Sequence, residues 1–153
     1  MISKLAMVSI LVQDQDEALR FYTEKLGLEK RADKVFGPGM RLVTVAPKGQ
    51  KGPEIALAKP DAALHGEEKA KALLGCIGQG TMWVFDTADC HKAYETLHSR
   101  GVPFVSPPTQ RAYGIEAVFE DPYGNTFALL EPSPENLAQL MDDKRVSNLH
   151  WVA

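Results

Sequence analysis

The sequence has little cysteine, no dominant charge and no long apolar run. Its 153 residues include two cysteines, Cys76 and Cys90, which are too few for a disulfide framework or, by themselves, a zinc site. The 17 basic and 20 acidic residues form no basic stripe of the kind that nucleic-acid binders carry. No apolar stretch approaches the roughly 18 residues of a transmembrane helix, and the start lacks the pattern of a signal peptide. We therefore expect a cytoplasmic protein with no nucleic-acid partner and no membrane contact.

What is present fits a globular chain with an internal repeat. Hydrophobic residues make up 44% and charged residues 24%, and the length predicts one domain over residues 1–153. Residues 54–60 (EIALAKP) resemble residues 126–132 (TFALLEP), which lie 72 positions later. The pairs that share this offset are Asp14 with Asp86, Tyr22 with Tyr94 and Ala56 with Ala128. A single offset near half the chain length predicts a duplicated module.

Each half is predicted to run strand, helix and then three strands. Alternating residues 4–12 predict a strand, Asp14 caps a helix that ends near Gly27, and strands follow at about 28–36, 40–46 and 53–59. In the second half Asp86 or Thr87 caps a helix that ends at Gly101, with strands at about 103–106, 115–120 and 126–131. The expected divisions are a first module at 4–60, a linker at 61–79, a second module at 80–132, and a C-terminal helix and tail at 133–153.

Strand alternation assigns the side chains to two faces. The face predicted to pack on the helices has Val8, Ile10, Ile55, Leu57, Trp83, Phe85, Phe127 and Leu129. The opposite face has Met7, Ser9, Leu11, Glu54, Ala56, Ala58, Gly80, Met82, Val84, Thr126, Ala128 and Leu130. Most of the second set are small or flexible, which favours a hollow for an apolar or aromatic ligand. The other interpretation is that loop side chains fill this space and nothing binds there.

Two motifs resemble the vicinal oxygen chelate superfamily, which includes glyoxalase I, bleomycin-resistance proteins and extradiol dioxygenases. The first is Val12-x-Asp14-x-x-x-Ala18-x-x-Phe21-Tyr22-x-x-x-Leu26-Gly27-Leu28. The second is Asp121-Pro122-x-Gly124-Asn125, preceded by Tyr113-Gly114 and followed by Leu129-x-Glu131-Pro132. The likeness covers about residues 5–132. It implies an α+β fold in which two βαβββ modules form a half-barrel pair whose concave face lines the site, followed by a short C-terminal helix, and it implies a homodimer.

The resemblance also locates the metal ligands of the family's enzymes. It places their four positions at Met7, Ala56, Gly80 (Thr81 if the register slips by one) and Ala128. These residues offer no oxygen or nitrogen side-chain donor of the kind that suits a divalent cation, apart from the hydroxyl of Thr81. We therefore expect no metal and no other cofactor, and neither glyoxalase nor dioxygenase chemistry.

The leading hypothesis is a metal-free protein of the bleomycin-resistance type that binds or sequesters an apolar or aromatic small molecule. Its candidate ligand-binding residues are Met7, Ser9, Glu54, Ala56, Met82, Tyr113, Thr126 and Ala128. The alternative is a metal-independent lyase, isomerase or hydrolase in which Glu54 and Tyr113 act as acid–base partners. Glu54 is a weak catalytic candidate, because a rim carboxylate in water explains it as well. A third hypothesis is a relative that binds only protein partners.

Other polar signals have an ordinary explanation beside a functional one. His91, Glu95 and His98 share a helix face with metal-like spacing, but a solvated face is the favoured interpretation. Arg41 and Arg111 either meet an anionic ligand or solvate their loops. Cys90 is expected to be a small buried residue.

Overall fold

The computed structural model describes residues 1–135. The elements of the first half are β1 Met7–Leu11, α1 Gln15–Arg20, a π-helical segment Phe21–Lys25, β2 Glu29–Val35, β3 Arg41–Ala46 and β4 Glu54–Ala58. Two short helices follow, α2 Ala62–His65 and α3 Glu67–Leu74. The elements of the second half are β5 Met82–Asp86, α4 Cys90–Ser99, β6 Phe104–Arg111, β7 Gly114–Glu120 and β8 Thr126–Pro132.

The described strands form two four-stranded sheets of the same topology. Their strand orders are β1-β4-β3-β2 and β5-β8-β7-β6. In each sheet the first strand pairs in parallel with the last, and the other neighbours are antiparallel. A parallel pair needs a long crossover, and in each half the helix and two strands supply it. This arrangement confirms the predicted α+β fold of two paired βαβββ modules.

An aspartate side chain caps the N-terminus of the main helix in each module. The Asp14 carboxylate accepts from the Glu17 backbone N–H at 2.9 Å, and the Asp89 carboxylate accepts from the Lys92 N–H at 3.0 Å. The prediction that Asp86 or Thr87 caps the second helix was wrong. Asp86 ends β5, and the Thr87 N–H still donates to the Leu130 carbonyl of β8 at 2.8 Å, so both predicted caps take part in the strand pairing.

The true cap changes how the two halves align. Asp89 follows Asp14 by 75 residues, and β5 likewise follows β1 by 75, since Met7 pairs with Glu54 and Met82 pairs with Thr126. The last strands keep the offset of 72, so Ala56 and Ala128 are equivalent as predicted. The equivalences of Asp14 with Asp86 and of Tyr22 with Tyr94 were wrong, because they applied the offset of the last strands to the helices.

The helix-side faces of both sheets contribute to a shared core. Ile10, Leu57 and Phe127 are essentially inaccessible to solvent and belong to a single hydrophobic cluster that spans both modules. The Tyr22 ring, from the π-helical segment of the first module, meets the Phe127 ring of the second edge-on at 6.0 Å. Trp83 packs against the same cluster but is only partly buried, because β5 is an edge strand. The opposite faces of the sheets therefore point away from this core.

The predicted C-terminal helix with its tail lies, from residue 136 onward, outside the described residues, and so does Trp151. Within residues 1–135 no helix is both long and apolar enough to cross a membrane.

Candidate ligand-binding site

Each sheet turns one face away from the helices, and we call this pair of surfaces the open face. It is defined by Met7, Ser9 and Ala56 in the first sheet and by Met82, Val84 and Ala128 in the second. Ala56 and Ala128 lie buried at the floor, whereas Met7, Met82 and Val84 are exposed to 40%, 60% and 56%. The open face therefore exposes apolar side chains around two small residues, as alternation predicted.

A fixed carboxylate lies on the open face of the first sheet. Glu54 is the cross-strand partner of Met7, and its Oε1 accepts a hydrogen bond from the Thr44 hydroxyl at 2.7 Å. Thr44 is fully buried and Glu54 is partly buried. The hydrogen bond orients this carboxylate at the border of the apolar surface.

A polar group of three residues borders the second sheet. The Tyr113 hydroxyl donates to Glu116 Oε2 at 2.9 Å, and Arg111 Nε lies 3.8 Å from Glu116 Oε1. The hydrogen bond to the Glu116 carboxylate raises the pKa of Tyr113 above its ordinary value. Glu54 and Tyr113, the proposed acid–base partners, thus hydrogen-bond to different groups.

Sequence reasoning missed Glu116 and Thr44. Glu116 pairs with Leu130, two residues from the Val118 and Ala128 pair, so it shares the open face with Ala128. Alternation along β7 could have predicted this position, because Glu116 and Val118 are two residues apart and therefore point to the same face. Thr126, the remaining predicted polar residue, pairs with Met82 and is half-buried.

The residues present do not fit the metal of the family's enzymes. Met82, rather than Gly80 or Thr81, is the equivalent of Met7, because each lies seven residues before its helix-capping aspartate. Methionine and alanine therefore occupy all four positions, and neither offers the donors that a divalent cation prefers. Residues 1–135 contain no group of three His, Cys, Asp or Glu side chains that could hold a metal ion. In particular, His98 stacks on Tyr94 along α4.

Arg41 and Cys90 both have hydrogen-bond partners within the fold. Arg41 bonds both Asp33 oxygens at 2.9 Å and Asp16 at 2.9 Å, and these carboxylates raise the pKa of Arg41. Burial raises the pKa of the Cys90 thiol, whose Sγ donates to the Leu129 carbonyl at 3.6 Å. Arg41 is thereby neutralised within the fold, and Cys90 is a buried thiol as predicted.

The buried Tyr22 hydroxyl predicts how stability depends on pH. Burial, with the neighbouring Asp121 carboxylate, raises the pKa of Tyr22 far above its ordinary value near 10. Above about pH 10 the unfolded chain releases this proton while the folded chain keeps it. The free energy of unfolding should then fall by about 1.4 kcal/mol per pH unit from this group.

Urea unfolding of wild type and Tyr22→Phe between pH 9 and pH 11.5 measures this slope. The comparison is needed because burial also raises the pKa of Tyr123, which the two proteins share. Wild type should lose more stability than Tyr22→Phe over this range. Equal losses in the two proteins would contradict the assignment.

The protein consists of two paired βαβββ modules. Each module has one four-stranded sheet of the same topology, with helices on one face and the open face opposite. The chain belongs to the Glyoxalase/Bleomycin resistance protein/Dioxygenase superfamily, whose family model matches residues 4–129. The uncharacterised protein YurT of Bacillus subtilis is 38% identical over 128 residues, which are 84% of this chain and 98% of that protein.

Solved structures show the same relationship. The crystal structure of UcmS2 is 38% identical with a TM-score of 0.75, covering 86% of this chain and 99% of that chain. TnmS3, an antibiotic binding protein from Streptomyces sp. CB03234, is 28% identical with a TM-score of 0.68, covering 86% and 98%.

Proposed function

We propose that this protein binds and sequesters an apolar or aromatic small molecule on its open face, without a metal or other cofactor. The observation that carries the proposal is the replacement of the four family ligand positions by Met7, Ala56, Met82 and Ala128. Two of these are exposed apolar side chains above a floor of small ones. The description of the related TnmS3 as an antibiotic binding protein supports a binding role.

The side chains of the open face suit a planar ring with few polar substituents. Met7 and Met82 are flexible and polarisable, and methionine sulfur makes favourable contacts with aromatic rings. Few polar groups are present on or beside this surface: the side chains of Ser9, Glu54, Thr126 and Tyr113. Such a mostly apolar lining with few polar groups is typical of small-molecule sites.

A homodimer is part of the proposal. The open faces point away from the shared core, so Met7, Met82 and Val84 are exposed in the part of a single chain that the structure describes. Contiguous exposed apolar surface usually marks an interaction site, and two-fold pairing of identical copies is the commonest way to cover it. A second copy would turn the open face into an enclosed cavity. We propose a cytoplasmic location for this dimer, because the sequence has only two cysteines and thus no disulfide framework of the kind that secreted domains carry.

The acid–base alternative has less support. An enzyme that uses Glu54 with Tyr113 needs both groups at one reacting atom. Glu54 is held by Thr44 in the first sheet, and Tyr113 is held by Glu116 in the second. Nothing in this geometry favours catalysis over binding.

Ala128→Leu should block binding with little loss of stability. Ala128 is only 2% exposed, but it lies outside the hydrophobic core cluster, on the open face between Val84 and Val118, so the added carbons extend on the side of the sheet away from that core. We expect an aromatic ligand found by thermal-shift screening of polycyclic compounds to bind at least about tenfold more weakly, a change of about 1.4 kcal/mol. Calorimetric titration measures the affinity, and urea unfolding measures the stability.

The matched control is His91→Ala on the outer side of α4, which should change neither quantity. EDTA is present in all titrations, so any metal-dependent binding is removed. If Ala128→Leu lost more than about 3 kcal/mol of stability, as overpacked cores do, while the folded fraction still bound the ligand, the open face would not be the site.

A further inference from the structure

An apolar cavity of about 560 Å³ lies on the helix side of the second sheet, behind the open face. Its floor includes Phe85 and Phe119, one wall includes Ala93 and Thr96 of α4, and the far wall includes Leu26 and Leu28 of the first module. The proposed ligand site on the open face is separated from this cavity by the sheet itself, because Phe85 and Val84 project from opposite sides of β5.

The cavity lies where the second helix has a smaller side chain than the first. Seven residues after the cap Asp14, the π-helical segment that continues α1 begins with Phe21, which is 4% exposed and belongs to the core. Seven residues after the cap Asp89 the second helix carries Thr96, which lines the cavity. An aromatic ring is thus present at this position in one module and missing from the other.

The charges at the cavity favour a neutral occupant. Asp86 and Asp89 supply two carboxylates, and Lys92 and Arg100 supply two cations, so the lining carries no net formal charge. Asp89 already accepts from the Lys92 backbone N–H, and the Arg100 guanidinium donates to the Lys25 carbonyl at 3.0 Å. With two charges of each sign, the lining gives no net attraction to a ligand that carries a charge.

The floor of the cavity is aromatic. The Phe85 and Phe119 rings lie 6.3 Å apart with planes 14° from parallel. Flat rings of this kind offer stacking and edge contacts to another ring.

We propose that this cavity is a second ligand site, which binds a neutral aromatic small molecule whose ring takes the place that Phe21 fills in the first helix. Its volume is within the range of about 300–1,000 Å³ that small-molecule sites have. The site does not depend on the proposed function, since its lining residues differ from those of the open face. It gives the second module a binding site on each side of the same sheet.

Fluorescence titration of the full-length protein with N-phenyl-1-naphthylamine, a neutral aromatic probe, tests the proposal. Thr96→Phe supplies the missing ring and should weaken probe binding at this cavity at least tenfold, with the unfolding midpoint unchanged or raised. Thr96→Val is the matched control, because it keeps the side-chain size and should bind as wild type does. Ala93→Leu fills the same cavity from the preceding turn of α4 and is used in place of Thr96→Phe if that variant does not fold.

Ala128→Leu separates this site from the open face. Probe binding that survives Ala128→Leu and is lost in Thr96→Phe supports the cavity, whatever happens to the proposed function. Wild-type binding in folded Thr96→Phe and Ala93→Leu would overturn it, and the open face would then account for the probe. Tighter probe binding in Trp151→Ala would identify the C-terminal segment as the occupant, and a dimer lost in Thr96→Phe would identify a second copy. Either result would also overturn the small-molecule assignment.

Discussion

Asp121→Ala should destabilise the protein by about 3–5 kcal/mol, because it leaves several buried donors without an acceptor. Asp121 is 3% exposed and its carboxylate accepts four hydrogen bonds. The donors are the Tyr22 hydroxyl at 2.7 Å, the Asn125 side-chain amide at 2.7 Å, and the backbone N–H groups of Tyr123 and Asn125 at 2.8 Å each. The bond to Tyr22 joins the two modules, so its loss weakens the junction as well as the turn.

Urea unfolding of Asp121→Ala and Tyr22→Phe measures the two contributions. Tyr22→Phe removes one hydrogen bond to a charged group and should cost about 1.5–3 kcal/mol, less than the loss of the carboxylate. The control is Asp86→Ala, because Asp86 is an exposed carboxylate at the end of β5. This substitution should lower the free energy of unfolding by less than about 0.5 kcal/mol. A loss below 1 kcal/mol in Asp121→Ala would show that the junction does not depend on this carboxylate.

Phe127→Ala should cost about 3–5 kcal/mol, the usual range for a buried phenylalanine. Phe127 is fully buried, and its ring centroid lies 5.4 Å from those of Phe85 and Phe119 and 6.0 Å from that of Tyr22. Removing the ring leaves a cavity at the meeting point of both modules. Thermal or urea unfolding gives the value directly.

Met82→Ala is the matched control for Phe127→Ala, because the Met82 side chain projects from the opposite face of the same sheet. Met82 is 60% exposed, so its replacement should lower the free energy of unfolding by less than about 1 kcal/mol. The reverse order of the two losses would mean that the faces are interchanged, and the candidate ligand-binding residues would then be core residues.

The strands and their faces could be predicted because alternation is a local property. The predicted strand at 126–131 is observed at Thr126–Pro132, with Phe127 buried on the helix side and Ala128 on the other, as its parity required. The odd or even position of a residue along its strand predicts which face it is on, but not whether that strand lies at the edge or in the middle of the sheet. Trp83 therefore lies on the predicted face yet is only partly buried, since β5 pairs with a strand on one side alone within residues 1–135.

The second helix cap and the polar pairs could not be predicted, because they depend on strand pairing. Asp86, Thr87 and Asp89 are all residues that cap helices, and only the pairing of Thr87 with Leu130 shows that the helix starts later. The same holds for Thr44 with Glu54, which meet across neighbouring strands. The cavity behind the second sheet needs a wall from the first module, so a search for a site within one module overlooks it.

The pairing of the first strand with the last in each module also affects how the chain is made. β1 has no partner until β4, ending at Ala58, has left the ribosome, which at about 5–20 residues per second takes about 2–10 s after Leu11. β5 waits in the same way for β8. During both intervals the apolar side chains of an unpaired strand are open to other nascent chains and to chaperones. Ser9, in the middle of β1, places a hydroxyl among them, and polar residues that interrupt an apolar strand in this way generally lower its tendency to aggregate.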